Sequence, residues 1–472
     1  MSIPRPGFLF FILLTAGWAA PGGPFAQAAA ETDPDELAAA SRRRTAADDF
    51  EAGLDLARRA LASAAPGSSA EGQGMLALAE ALFRQGRIDA AGQVFRRARR
   101  LLPENAAVHY GLARVLLTHP DYAGAGTALR RAFRLDPDDP RIVRRLAGLV
   151  SSRDEALALY RRYTELPPVE DPEVRENVRA WLALLESIGQ RRLFRLEGPE
   201  GFRSLRVTRA GGVPHVNVGV GPLAPRPFLL DSGASGVTVP FSTFRRLGLQ
   251  PVSRFTVKGV SGATAEHPFV VLPTLSLGPY LFHDIPAVVM SSREGGPGIL
   301  GLSLLAPLQP GLVGGRTLLL EKNAARGTGC PVAGWWRFRN VNGMIQVEAL
   351  LEGTPIEMLL DTGATRSVLS RAALKRMGIE ESVGRSSIGI RGLTGAVGKV
   401  GRVKKRGTLA ALGRRFNVRG MSVVDLGALS HSLGTEIDGI LGADFLETWS
   451  LRMDYGNGLI EVREGRGKNR PG

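Results

Sequence analysis

Two short carboxylate loops recur along this chain. Asp231-Ser232-Gly233-Ala234-Ser235 follows the apolar run Phe228-Leu229-Leu230, and Asp361-Thr362-Gly363-Ala364-Thr365 follows Met358-Leu359-Leu360. Each is followed further on by an apolar pair and a glycine, Ile299-Leu300-Gly301 and Ile440-Leu441-Gly442. Two carboxylates held close cannot both ionise readily, so they share a proton. One then serves as general base on a water while the other donates a proton to a carbonyl oxygen. Brought together, such a pair could hydrolyse a bond with an activated water.

The elements that position the pair are themselves repeated. With a constant offset of 130 residues, His215–Leu249 falls on Ile345–Ile379 without a gap. The Asp, Gly and Ala of the loops coincide, as do Arg246 with Arg376 and Gly248 with Gly378; Val216 and Val218 fall on Gln346 and Glu348, a mismatch. The later motif is offset by 141, so the second copy carries roughly eleven extra residues. An internal repeat sets the architecture. Gly233 and Gly363 permit a turn tight enough to present the carboxylate. Ile299-Leu300 and Ile440-Leu441 read as buried strands beneath the loops, with Gly301 and Gly442 allowing close approach. Ser303 and Asp444 read as caps of a short following helix.

This pair of motifs resembles the retropepsin-like aspartic proteases, over roughly residues 205–465. The resemblance implies a peptide-cleaving site made by catalytic Asp231 and Asp361. It also implies hydrogen bonds that interlock Ser232 and Thr362 between the halves. Ser235 and Thr365 are expected to bond the carboxylates from outside. Retroviral members supply one loop per subunit, so this chain reads as a fused dimer. Flaps are expected at 257–263, with Gly259, Ser261 and Gly262, and at 388–395, with Gly392, Thr394 and Gly395. Both are glycine-tipped, strand-like segments suited to hairpins. The flap tyrosine of pepsin-like members is absent. A noncatalytic peptide-binding scaffold built from the same parts is the alternative.

The 472 residues carry a formal charge of +15, one cysteine and six histidines. Arginine is spread along the chain, with alanine and glycine also abundant, which reads as compositional bias rather than the basic face of a nucleic-acid binder. The densest cluster in the second half is Arg402, Lys404, Lys405, Arg406, Arg414 and Arg415. The histidines show no ligand spacing, so no metal and no cofactor is expected. Cys330 alone makes no internal disulfide. Arg5, the apolar run from Phe8 and Ala26-Gln27-Ala28 read as a signal peptide over 1–28. An exported protein, periplasmic or secreted, with no membrane span after cleavage is expected. An uncleaved anchor is the alternative.

A second repeat, with a period of 34, runs through the first third. Leu78-Ala79, Leu82, Ala91, Phe95, Ala98 and Pro103 recur as Leu112-Ala113, Leu116, Ala125, Leu129, Ala132 and Pro137. This resembles the tetratricopeptide repeat, whose arrays present a face to peptides or proteins. The expected fold class is therefore multidomain α plus β: helical repeats, then an all-β, two-lobed acid-protease domain. The expected boundaries are 29–70, a partly disordered or degenerate helical segment, 71–190 helical repeats, and 191–204 a linker. They continue with 205–325 the first lobe, 326–340 a connector and 341–465 the second lobe. A polypeptide substrate and a protein partner on the repeats are the implied ligands.

Overall fold

The computed structural model describes residues 33–259, 262–290, 296–322, 334–379, 383–385, 390–392, 395–397, 400–446 and 449–464. The leader at 1–28 and Cys330 lie outside them. The described residues divide into two compact units, 33–178 with Ser430–Glu436, and 179–429 with 437–464.

The first unit is helical: α1 Pro34–Ala46, α2 Phe50–Ser63, α3 Ser69–Arg84, α4 Ile88–Leu101, α5 Ala106–Thr118, α6 Tyr122–Leu135, α7 Pro140–Ala147, α8 Arg153–Glu165, and the start of α9 Pro172–Ser187. The 34-residue period falls on the pairs α3–α4 and α5–α6. Its small positions Ala91 and Ala125 are fully buried, as are Phe95 and Leu129. Gly111 makes room for the Phe95 ring, since a Cβ there would lie 2.2 Å from it.

The described residues 33–70 depart from the expectation for 29–70. Instead of a degenerate helix, α1 and α2 form a full hairpin, and Leu37, Ala38, Ala57 and Ala60 join Ala77 of α3 in one core cluster. The crossing is built on Gly53, whose carbonyl accepts from Ser41 Oγ at 2.7 Å and whose missing Cβ leaves room for Thr45. Glycine inside a helix normally argues against it; here the backbone approach needs it.

The second unit is all β apart from short helices and the end of α9. Its lobes repeat one strand order. In the first lobe Tyr280–Met290, Val237–Pro240, Gly298–Gly301, Arg226–Asp231, Val213–Val220 and Thr264–Leu277 lie side by side. In the second lobe the order is Ser422–Val424, Val368–Ser370, Gly439–Leu441, Thr354–Leu360, Met344–Leu351 and Thr408–Ala411. A third sheet of six strands joins the lobes. It takes Gly201–Arg206, Gly311–Val313 and Thr317–Lys322 from one side and Trp335–Arg337, Trp449–Asp454 and Leu459–Glu464 from the other. Its central seam pairs Leu312 with Leu451, antiparallel.

Three boundaries move. Residues 191–204, expected as a linker, hold Arg195–Glu197, which pairs with Tyr280–Met290, and most of the edge strand Gly201–Arg206. Those strands are mostly exposed, so they lack the apolar alternation that marks a half-buried strand. The connector 326–340 holds Trp335–Arg337 and most of Arg339–Val341. Finally α9 belongs with the β unit from Arg179 onward: Trp181 packs on Phe269 at 6.1 Å, and Ser253 Oγ donates to the Ala180 carbonyl at 3.2 Å.

Candidate active site

Each carboxylate stands at the end of a strand supported from one side by the apolar-apolar-Gly motif. Gly298–Gly301 runs parallel to Arg226–Asp231, with Gly301 opposite Asp231. Gly439–Leu441 runs parallel to Thr354–Leu360, and Asp361 N–H donates to the Leu441 carbonyl at 2.9 Å. Leu230, Leu300, Leu360 and Leu441 are buried to 1% exposure or less. Each such side chain stabilises the fold by about 1.5–3 kcal/mol, so the floor of the site is a hydrophobic core. Gly301 and Gly442 are required there. A Cβ on either would lie within 2.9 Å of backbone in the turn that follows the carboxylate.

The two loops interlock across the lobes. Ser232 N–H donates to Thr362 Oγ1 and Thr362 N–H donates to Ser232 Oγ, both at 3.0 Å. The same hydroxyls donate onward, Ser232 Oγ to the Leu360 carbonyl at 2.7 Å and Thr362 Oγ1 to the Leu230 carbonyl at 2.8 Å. Both side chains are 1% exposed.

This lock brings the carboxylates together. A Cβ on Gly233 would lie 2.7 Å from Asp361 Cγ, and a Cβ on Gly363 would lie 2.6 Å from Asp231 Cγ. Each loop glycine is thus the wall against which the opposite carboxylate rests. Gly233 N–H donates to Asp231 Oδ1 at 2.8 Å; Gly363 and Ala364 donate to Asp361 Oδ1 at 2.8 and 3.1 Å. Burial pushes Asp231 well above the ordinary aspartate range, and the adjoining Asp361 carboxylate adds to the rise. Burial also raises Asp361, against a hydrogen bond from Asp231 that draws it down. Carboxylates this close titrate as a pair rather than one by one.

Ser235 and Thr365 do not play the part expected of them. Their hydroxyls make no hydrogen bond to either carboxylate. The backbone N–H groups bond Oδ1 of each carboxylate, and Thr365 is exposed. Ser303 and Asp444 are not caps either. Ser303 Oγ donates to the Ser235 carbonyl at 3.1 Å. Asp444 Oδ1 accepts from Ser367 N–H and Ser367 Oγ, both at 2.7 Å, and Ser367 Oγ accepts from Gly442 N–H at 2.9 Å. These side chains tie the helical turn after each apolar-apolar-Gly motif back to the carboxylate loop.

Both expected flap segments fall on hairpins. The first joins Ser253–Lys258 to Thr264–Leu277, with Gly259 and Gly262 in a turn closed by Gly259 N–H to the Ala263 carbonyl at 2.9 Å. Gly262 takes a positive φ of 81°, and a Cβ there would lie 2.9 Å from the Ala428 methyl, so this turn reaches the second lobe. The other pairs Ile390–Gly392 with Gly395–Val397, Gly392 opposite Gly395. Ser261 and Thr394 lie outside the described residues.

One part of the site was missed in the sequence. Asp438, 2% exposed, precedes the second apolar-apolar-Gly motif. Its Oδ2 accepts from Glu357 N–H at 2.9 Å and its N–H donates to the Glu357 carbonyl at 2.7 Å. Its Oδ1 pairs with Arg376 at 2.6 Å. Glu357 pairs in turn with Arg339 at 2.6 Å, and burial pushes its carboxyl up to about 8 although Arg339 opposes the rise. This charged clamp fixes the strands that carry Asp361 and its support. The first lobe has Pro227 and Pro297 at the offset positions. The available signal was an acid inside an apolar strand, Ile356-Glu357-Met358.

Among the described residues no group of His, Cys, Asp and Glu could hold a metal ion, and no helix is long and apolar enough to cross a membrane. Residues 215–304 and 347–445 match the family model described as aspartyl protease, and residues 35–105 and 76–140 match the tetratricopeptide repeat. A stretch of 121 residues is 37% identical to the cytochrome c-type biogenesis protein CycH of Rhizobium meliloti (strain 1021). It covers 24% of this chain and 30% of that protein, so the chain spans under a third of this relative. Among solved structures, the aspartic proteinase from Irpex lacteus is similar with a TM-score of 0.38 and 15% identity, over 56% of this chain and 98% of that one. Pseudomonas aeruginosa pilF follows with a TM-score of 0.28 and 20% identity, over 34% of this chain and 71% of that one.

Proposed function

We propose that this chain, which joins tetratricopeptide repeats to a tandem aspartyl-protease-type domain, is an aspartic endopeptidase. The observation that carries the reading is the contact between the Asp231 and Asp361 carboxylates across the interlocked loops. The ionised member takes a proton from a water, whose oxygen attacks the scissile carbonyl carbon. The protonated member donates to the carbonyl oxygen, giving a tetrahedral diol. On collapse the C–N bond breaks and the leaving nitrogen takes up a proton. Burial keeps the shared proton in place. In this reading the hairpin that reaches Ala428 serves as a flap over a bound chain.

The carboxylate pair supplies both base and acid, so cleavage is expected to survive chelators and to fall to a statine-type mimic of the diol. A peptide library incubated in ¹⁸O-labelled water provides the test: new carboxyl termini should carry the label. Absence of cleavage across the library from acid to neutral pH contradicts the reading and leaves a peptide-binding scaffold. In the proposal the helical repeats recruit a protein substrate or partner, since such repeats commonly hold other proteins. The relative named for cytochrome c-type biogenesis supports a role in handling proteins. Export, supported by the leader-like residues 1–28, is checked by amino-terminal sequencing of the mature chain from fractionated cells.

A further inference from the structure

We propose that a cationic hairpin of the second lobe is a docking face for an anionic phospholipid surface. Residues 401–419 contain Arg402, Lys404, Lys405, Arg406, Arg414, Arg415 and Arg419 and no acidic residue. They form the strands Thr408–Ala411 and Arg414–Asn417 with their flanks. Lys404, Lys405, Arg406, Arg415 and Arg419 are exposed, and none pairs with a carboxylate among the described residues. The fold does not demand this charge. The corresponding hairpin of the first lobe, Thr264–Leu277 with Tyr280–Met290, has no lysine or arginine and carries Glu266 and Asp284. Repulsion of edge-to-edge pairing accounts for charges on the edge strand Arg414–Asn417. It does not account for Lys404–Arg406 or Arg419, which lie outside that strand.

Apolar groups adjoin the cations. Leu350 is opposite Ala410, and Ala410 is opposite Arg415, so the three side chains share one face of the sheet. Leu350 is 40% exposed and Trp336 is 41% exposed. The Trp336 ring rests on the hairpin turn, where a Cβ on Gly413 would lie 2.7 Å from it. The hairpin is anchored from behind by Phe416, whose ring centre is 3.7 Å from that of Phe445. The bordering acids are exposed Glu348 and Glu352; Glu352 Oε1 accepts from Thr408 N–H.

Flexible cations spread over a hairpin, with no buried polar cradle, suit a plane of diffuse negative charge better than one shaped ligand. Exposed tryptophan and leucine beside them suit the boundary between headgroups and acyl chains. The inference does not depend on catalysis.

The test is cosedimentation of the full chain with phosphatidylcholine vesicles that contain or lack phosphatidylglycerol. Binding is expected only with phosphatidylglycerol. The triple variant Lys404→Glu, Lys405→Glu, Arg415→Glu should bind at least about tenfold more weakly, with an unchanged thermal melt. The control Arg96→Glu, Arg97→Glu, Arg99→Glu, of equal charge change on α4, should bind as the parent does. Equal loss in the control would show a general charge effect and overturn the proposal. So would equal binding to both vesicles, or binding to polyglutamate or DNA but not to vesicles. If the triple variant unfolds, Lys404→Gln with Lys405→Gln replaces it, and unweakened binding there also overturns the proposal.

Discussion

Ser232 and Thr362 hold each other's backbone: each hydroxyl accepts the other residue's N–H at 3.0 Å, and each donates to the carbonyl before the opposite carboxylate. Four hydrogen bonds thus meet in a space closed to water. Removing one hydroxyl leaves a buried donor and a buried acceptor without that partner, at about 1–3 kcal/mol each. Thr362→Val is therefore expected to lower unfolding stability by about 2–4 kcal/mol, measured by denaturant titration, and to reduce cleavage. A change below about 0.5 kcal/mol would contradict the lock.

The loop glycines set the separation of the carboxylates. Gly233→Ala puts a methyl where Asp361 now rests, and Gly363→Ala does the same to Asp231. A displacement of about 1 Å at reacting groups costs on the order of 10²-fold in rate. Either variant should lose turnover by about that factor with its circular dichroism spectrum retained. Normal kcat in both would mean that the carboxylates do not act in contact.

Stability and chemistry pull against each other at the pair. Both folded carboxyls titrate above their unfolded values. The folded state therefore binds more protons once pH exceeds the ordinary aspartate range, and stability falls as pH rises through the folded values. Asp231→Asn removes that coupling. The variant should gain stability relative to the parent between acid and neutral pH, about 1.4 kcal/mol for each unit of upward shift removed. Denaturation at two pH values measures the difference; a constant or shrinking gap would count against the shared proton.

Glu357 behaves in the same direction, and burial is again the main cause. Its folded value is about 8 against an ordinary 4.5, so its contribution is present below pH 4.5 and is lost as pH rises toward 8. Glu357→Gln keeps the shape and removes the titration. The variant should be relatively more stable at pH 8 than at pH 5. The reverse ordering would mean that Glu357 is ionised throughout and that Arg339 dominates its environment.

The carboxylate loops and their partner motifs were legible because a repeat without a gap around the carboxylates imposes one geometry twice. The strand order of one lobe is the strand order of the other. The clamp of Asp438, Arg376, Glu357 and Arg339 was not legible, because the first copy has prolines where its two acids stand and its partners come from distant strands. Edge strands such as Gly201–Arg206 were lost for a related reason. Half of their pairing is to solvent, so no apolar alternation marks them. Thr365 shows the opposite error. Its place in the motif implied a bond to the carboxylate, but the residue is exposed and makes none.

The boundary found at α9 sharpens the expectation for the helical unit. A chain lacking residues 29–171 keeps α9, with Trp181 on Phe269, and should remain soluble and cut short peptides at a comparable rate. It should lose its preference for a protein substrate over those peptides. Retained preference would leave the repeats without a recruiting role.

The shared site itself is decided by cleavage with Asp231→Asn, Asp361→Asn and their equimolar mixture, each with its fold verified. Both single variants should fall by at least about 10³-fold. The mixture should stay as inactive as its parts, because both carboxylates of one site belong to one chain. Near-normal turnover by either variant, or activity restored on mixing, would contradict an intrachain Asp231–Asp361 pair.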